Sequence, residues 1–404
     1  MNSDIPKALH TVCGRPIIQY VLDITKGLGS LKTYVVLGHK GGTVKTALNG
    51  KLIYVTQTKL LGTADAVKCT KSHFRSYRGD VLILSGDTPL LKLATVKRLV
   101  QRHKRTDATC TFLTAVVHNP KGYGRVIKGE SGAAVAVRED KDTSGYEREI
   151  AEINVGVYCC RSKELFSALK AVKINAQKKE FYLTDIIEFF AQQGQRIETV
   201  ETEDPSEGLG VNTKEDLATA ESVVRREILK GFMIQGVTII DPGTTYIDAG
   251  AKIGIDTVIQ PFTFIERDVR IGSHCRIGPF ARLRPGTRIE DKVEIGNFTE
   301  ISRTRVGTRV FMKHFSFLGD ASVGADVNIG AGVITANFDG QKKNKTKISA
   351  GAFIGSDVVL IAPVKIGKKA VIGAGSVVTK GKSIPDGGVA VGIPAKIISE
   401  GRRP

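Results

Sequence analysis

The chain has 404 residues, 41% apolar and 25% charged, with a formal net charge of +18. That length favours two or three domains, and that composition suits ordinary soluble cores. The longest apolar runs, such as Val81 to Leu84, are far too short to span a bilayer, and no apolar h-region opens the chain, so no signal peptide is expected. The six cysteines (Cys13, Cys69, Cys110, Cys159, Cys160, Cys275) show no CxxC spacing. They read as reduced, mostly buried thiols of a cytoplasmic protein, and no Cys/His cluster suggests zinc. The positive charge admits nucleic acid, small anionic substrates or a plain basic surface as its reason. No nucleic acid is expected, because the charges are dispersed, Trp is absent, and aromatic and basic residues do not interleave.

Up to about Asn212 the chain alternates strand-like runs with helical patterns. Thr33 to Leu37 and Val81 to Leu84 are short aliphatic runs, and Ile17 to Leu28 and Ala94 to His103 carry helical periodicity. Such alternation predicts an α/β domain with a largely parallel sheet, whose ligands sit beyond the carboxyl ends of strands. From Glu215 to Phe232, Leu217, Ala220, Val224, Ile228 and Leu229 fall on one helical face, which predicts a linking helix.

The second half repeats every six residues. Aliphatic residues stand at Ile247, Ile253, Ile259, Ile265, Ile271, Ile277, Leu283, Ile289, Ile295 and Ile301. The phase slips by one before Val306, Met312 and Leu318, slips again before Val323 and Ile329, and resumes from Ile348 to Ile384. A six-residue period predicts a parallel β-helix, with the aliphatic side chains inside a triangular prism. Between Ile334 and Ile348 the period is broken by TANFDGQKKNKTK, which must loop outward. Its lysines read either as a solvated loop or as an anion-binding arm.

The segments SDIPKALHTVCGRPII, QTKLLGTADA, SGDTPLL, GYGRV, EINVGVY and EFYLTDII resemble sugar-phosphate nucleotidyltransferases. GPFARLRPG, IGNFTEI, KHFSFLGDASVGADVNIGAG, ANFDG and IGSD resemble the acetyltransferase half of the bifunctional enzymes that make UDP-N-acetylglucosamine. Together they cover nearly the whole chain in one order. The resemblance implies a Rossmann-like nucleotidyltransferase domain (1–212), a linker helix (213–235) and a left-handed parallel β-helix of hexapeptide repeats (236–404). It also implies a homotrimer without a membrane span.

For the first domain the resemblance implies uridylyl transfer from UTP to N-acetylglucosamine 1-phosphate. Asp87 and Asn212 would hold Mg²⁺, hard oxygen ligands suiting that ion. Lys7 would meet the phosphates, Gln57, Gly62 and Thr63 the uracil, and Gly124, Glu139 and Asn154 the sugar. Read alone, Asp87 could equally cap a turn and Lys7 be a surface charge. EINVG departs slightly from the family's Asn-Thr-Gly. The family's first strand and Gly-rich phosphate loop precede the position of Met1, so either the start lies upstream or this half has degenerated. Their absence is expected to weaken the triphosphate cradle and to leave strand edges unpaired.

For the second domain the resemblance implies acetyl transfer from acetyl-CoA to glucosamine 1-phosphate. His314 would be the general base, a task that suits a neutral imidazole, although a lone His is as readily structural. Arg284, Phe317, Asn328, Asn337, Phe338 and Lys343 would contact the sugar phosphate. Ala331, Ser356 and Ala374 would line the acetyl-CoA cleft. Ser302 stands where the family has a phosphate-binding Lys, Phe317 where it has Tyr, and Gly392 near a missing Arg. Loss of one cation would cost about 1.5–3 kcal/mol of phosphate binding. The alternatives are a single-activity nucleotidyltransferase, an acetyltransferase with another acceptor, or a non-catalytic assembly subunit.

Overall fold

The computed structural model describes residues 1–29, 32–175 and 178–399. The chain divides into two compact units, residues 1–221 and 222–404, and the division falls inside the helix Lys214–Ile234.

In the first unit, strands Ile197–Glu201, Cys110–Val116, Glu152–Arg161, Arg125–Lys128 and Ala134–Arg138 lie side by side, and Asp80–Ile83 also pairs with Glu152–Arg161. The long central strand Glu152–Arg161 is antiparallel to Asp80–Ile83, Cys110–Val116 and Arg125–Lys128. Those three, with Ile197–Glu201, therefore share one direction. Thr33–Leu37 and Leu52–Thr56 form a separate parallel pair. Helices cover the sheets with apolar stripes. Ile17–Gly27 buries Ile17, Ile18, Val21, Leu22 and Ile24, at the three- and four-residue steps of one helical face. All six cysteines are free thiols.

The second unit is a three-faced prism of short parallel strands, closed on its first face by one antiparallel strand, Lys396–Ser399. Among the described residues its faces hold ten, eight and eight strands. The first face begins at Thr238–Ile239, the second at Tyr246–Ile247 and the third at Lys252–Ile253. Every periodic aliphatic residue points inward and is buried, each such side chain contributing about 1.5–3 kcal/mol of apolar burial. Glycine follows many of them because successive coils touch there: a Cβ on Gly296 would meet the Lys313 carbonyl oxygen at 1.7 Å.

The two phase slips lie at shortened corners between the second and third faces. Ile289 pairs with Val306, 17 residues on, where Leu283 pairs with Ile301, 18 on. Each short corner turns on one left-handed residue, Arg303 (φ 48°) and Asp320 (φ 52°).

Candidate active sites

In the first unit, Asp87 stands four residues beyond the end of Asp80–Ile83. Its carbonyl accepts a hydrogen bond from Val211 N at 2.9 Å, which ties the 210–213 segment to it. Asn212 is fixed in turn by Asp216, whose Oδ2 accepts from the backbone N–H groups of Asn212 and Thr213, both at 2.8 Å. Lys7 begins a short 3-10 turn, Lys7–Leu9. Its Nζ reaches Asp87 Oδ2 at 2.5 Å and Asn212 Oδ1 at 2.6 Å. Three residues proposed for phosphate and metal binding thus meet at one point. Two hard oxygens already converge on one cation, the lysine ammonium, so this donor set fits Mg²⁺. A cleft of about 420 Å³ opens beside Lys7, with Lys40, Gly38 and Gly86 also on its wall.

Gln57 follows strand Leu52–Thr56 and spends its amide N–H groups on Gly62 O (3.1 Å) and Asp65 Oδ2 (2.9 Å). Gly62 has φ +98°, and a Cβ there would lie 2.5 Å from Phe181 O, so only glycine fits. The Thr63 hydroxyl accepts from Leu183 N at 3.0 Å. Thr63 therefore fastens this loop to the 181–183 segment, and its hydroxyl is already engaged.

Gly124, Asn154 and Glu139 lie on neighbouring strands and their ends. Asn154 N donates to Gly124 O at 2.8 Å, and Asn154 Nδ2 donates to the Tyr158 hydroxyl at 2.7 Å. Burial pushes the Glu139 carboxyl above its usual range, while its bond from Thr184 Oγ1 at 2.9 Å partly offsets this. Asp185 is pushed up to about 6, by burial first and then by the charge of Glu139. Thr184, Asp185 and Tyr158 lie in the EFYLTDII and EINVGVY segments, but nothing in one sequence distinguishes them from core residues. Tyr123 is likewise visible only in three dimensions, where burial and the charges of Asp216 and Asp87 raise its hydroxyl pKa.

In the second unit, the corner between the first and second faces carries a vertical series. Met312, Ile329, Ile354 and Ile372 are register partners on successive coils. His314, Ala331, Ser356 and Ala374 each stand two residues past one of them. His314 is exposed, and its side chain makes no hydrogen bond or ion pair among the described residues. Beside it a cavity of about 650 Å³ is walled by Phe280, Phe298, Glu300, Phe315, Phe317 and Ile334.

The opposite edge of the second face gathers the polar groups. Arg284 Nη1 donates to Glu300 Oε1 at 2.7 Å. Arg303 grips Asp320 with two bonds, Nε to Oδ1 at 2.7 Å and Nη2 to Oδ2 at 2.9 Å, and Asn337 Nδ2 donates to Asp320 Oδ2 at 2.5 Å. Arg303 first, then Asn337 and the charge of Lys343, hold Asp320 below the usual carboxylate range. Phe338 and Lys343 bridge the base of the outward loop. Asn328 lies instead on the first face, between Phe311 and Phe353. One chain does not bring it to Arg284 and Asn337.

Residues 1–192 match the MobA-like NTP transferase domain, and 250–285, 268–303 and 345–380 match the bacterial transferase hexapeptide repeat. The bifunctional protein GlmU of Shouchella clausii is 42% identical over 412 residues, covering 94% of this chain and 91% of that protein. GlmU of Geobacillus thermodenitrificans is 40% identical, covering 99% and 94%. GlmU of Bacillus subtilis is 40% identical, covering 94% and 91%. The chain belongs to the GlmU family.

GlmU proteins couple a uridylyltransferase-type domain to hexapeptide acetyltransferase repeats, and this chain has both. Within that family frame Ser302 has a specific setting. It is buried, and its Oγ accepts from Arg303 Nη1 at 2.7 Å. A guanidinium therefore stands one residue beyond the position where the GlmU resemblance leads one to expect a lysine. The sequence alone did not single out Arg303, because its place depends on the shortened corner. Among the described residues no helix is long and apolar enough to cross a membrane.

Proposed function

We propose that the chain makes UDP-N-acetylglucosamine in two steps: acetyl transfer from acetyl-CoA to glucosamine 1-phosphate, then uridylyl transfer from UTP to the resulting N-acetylglucosamine 1-phosphate. In the first step His314 takes a proton from the attacking amine. The N–C bond forms, the C–S bond of the thioester breaks, and the proton passes to the departing sulfur. Arg284 and Lys343 hold the substrate phosphate, and Asn337 and Phe338 orient the sugar. The small side chains of Ala331, Ser356 and Ala374 leave a groove for the acetyl-CoA arm leading away from His314.

Asn328 faces another side of the prism, so it meets the same substrate only if a second copy supplies it. This favours a homotrimer. The exposed ladder of Phe262, Phe280 and Phe298, with ring centroids 4.9 Å apart, is a surface that a neighbouring copy would cover.

In the second step an oxygen of N-acetylglucosamine 1-phosphate attacks the α-phosphorus of UTP and pyrophosphate leaves. Lys7 neutralises phosphate charge. Gln57, Gly62 and Thr63 shape the uracil site, and Gly124, Glu139 and Asn154 meet the sugar. Mg²⁺ bound by Asp87 and Asn212 would supply further charge neutralisation on the triphosphate. The enzyme works in the cytoplasm, where these substrates are found.

The relationship to bifunctional GlmU proteins over nearly the whole of this chain carries this reading. It is tested by coenzyme A release from acetyl-CoA with glucosamine 1-phosphate, beside His314→Ala, and by pyrophosphate release from UTP with N-acetylglucosamine 1-phosphate, beside Asp87→Asn. Each substitution should abolish one activity and spare the other. Coenzyme A release with a different amine alone would move the first step to another acceptor.

A further inference from the structure

The three prism faces carry very different charge. The outward positions of the third face run, in register, Lys252, Arg270, Arg288, Arg305, Ser322, Lys347, Lys365 and Ser383. Six of these eight rungs are cationic, and all eight are exposed. The corresponding column on the second face has one cation, Arg282, followed by Glu300. That on the first face also has one, Arg276, followed by Glu294.

On the third face Glu290 pairs with Arg305 at 2.8 Å. Among the described residues, Lys252, Arg270, Arg288, Lys347 and Lys365 have no ion pair. Strands in a sheet are about 4.8 Å apart, so the column of eight rungs forms a ridge roughly 34 Å long. Like charges on adjacent strands repel, so the prism by itself would be better off without this arrangement. An anionic partner reverses the sign of that term.

We propose that the third face is a docking surface for an anionic lipid bilayer, held by headgroup phosphates and not by inserted side chains. The rungs stand in register on one face of the prism, so they can meet a planar sheet of phosphates together. The face also lacks the aromatic side chains on which single-stranded bases stack. No large apolar residue occupies an outward rung, which excludes insertion into the acyl region. The ridge lies opposite the corner that carries His314, Ala331, Ser356 and Ala374; Arg284, Asn337 and Lys343 lie at the edge the third face shares with the second, and no ridge residue is among those assigned to acetyl transfer.

The test is co-sedimentation of the full chain with vesicles of one third phosphatidylglycerol in phosphatidylcholine, at low and high salt. Binding to these, but not to pure phosphatidylcholine, should be strong at low salt and lost at high salt. Near an anionic surface each basic residue removed should weaken binding about fivefold. The combined Arg270→Gln, Arg288→Gln and Lys365→Gln variant should therefore bind on the order of 100-fold more weakly. A second variant, Lys252→Gln with Lys347→Gln, should show the same trend. A charge-matched control, Lys163→Gln, Lys170→Gln and Lys173→Gln, should bind as the parent does. Acetyl transfer should be unchanged in all three, and neither ridge variant should melt below the parent, since each relieves repulsion between adjacent rungs. The proposal is overturned if the parent ignores anionic vesicles at low salt, or if the control weakens as much as the ridge variants. It is also overturned if single-stranded DNA displaces the vesicles and its binding depends on the same ridge residues.

Discussion

Lys7 and Asp87 are 80 residues apart in the chain, yet Lys7 Nζ lies 2.5 Å from Asp87 Oδ2 and also reaches Asn212. The ammonium occupies the point where two candidate metal ligands converge. Replacing it with a neutral side chain should leave those oxygens freer to take a divalent cation. Lys7→Met is expected to bind Mn²⁺ more tightly than the parent in the absence of nucleotide, by titration calorimetry. Its pyrophosphate release should fall about a hundredfold, because the transferring phosphates lose a fixed charge. Unchanged Mn²⁺ affinity would separate Lys7 from the metal position.

The corner of Ala331, Ser356 and Ala374 offers a test of the cofactor groove. A leucine at Ser356 or Ala374 would fill space beside the register column of His314. Ser356→Leu and Ala374→Leu are each expected to raise the KM for acetyl-CoA about tenfold, the scale of a few misplaced methylenes. The KM for glucosamine 1-phosphate should hardly move. Equal effects on both substrates would place the cofactor elsewhere.

Asp320 is held below its usual pKa of 3.8, chiefly by Arg303. A depressed carboxyl contributes stability above its unfolded value and loses it as pH falls through the folded value. Arg303→Met should therefore cost about 1 kcal/mol at neutral pH, a modest figure because the guanidinium is partly exposed. The difference should shrink as pH falls below 3.8 and through the depressed folded value. Denaturant unfolding of parent and variant across this range measures it.

Asp185 has the opposite sign. Burial and the neighbouring Glu139 push its pKa up to about 6. The folded state holds that proton more tightly than the unfolded chain, so the stability linked to it is full below the unfolded value of 3.8 and is lost as pH rises through about 6. Asp185→Asn should accordingly stabilise the first unit by about 1–3 kcal/mol at pH 8 and have little effect near pH 4. Unfolding midpoints at the two pH values distinguish this from a pH-independent change.

Gly62→Ala places a Cβ 2.5 Å from the Phe181 carbonyl oxygen at a left-handed φ. A loss of about 1–3 kcal/mol is expected, together with a raised KM for UTP, because the loop holding Gln57 must shift. Thermal melting and initial rates of pyrophosphate release check both.

The amino-acid sequence by itself determined the β-helix, because a six-residue aliphatic period has no other regular solution, and each periodic residue from Ile247 to Ile384 is indeed inward and buried. It also carried the family, since segments such as SGDTP and KHFSFLGD keep their order along the whole chain. Asp87, Asn212 and Lys7 could be named from local motifs. Their meeting could not, because it depends on a backbone bond from Val211 to Asp87 across more than a hundred residues. Only the tertiary structure decided that Thr63 is spent on Leu183, that Asn328 faces away from Arg284, and that the Arg303 guanidinium bonds both Ser302 Oγ and Asp320. The basic ridge was hidden for the same reason. Its residues are mostly 17 or 18 apart in sequence, with one gap of 25 across the outward loop, and only the stacking of coils at one strand spacing makes them neighbours.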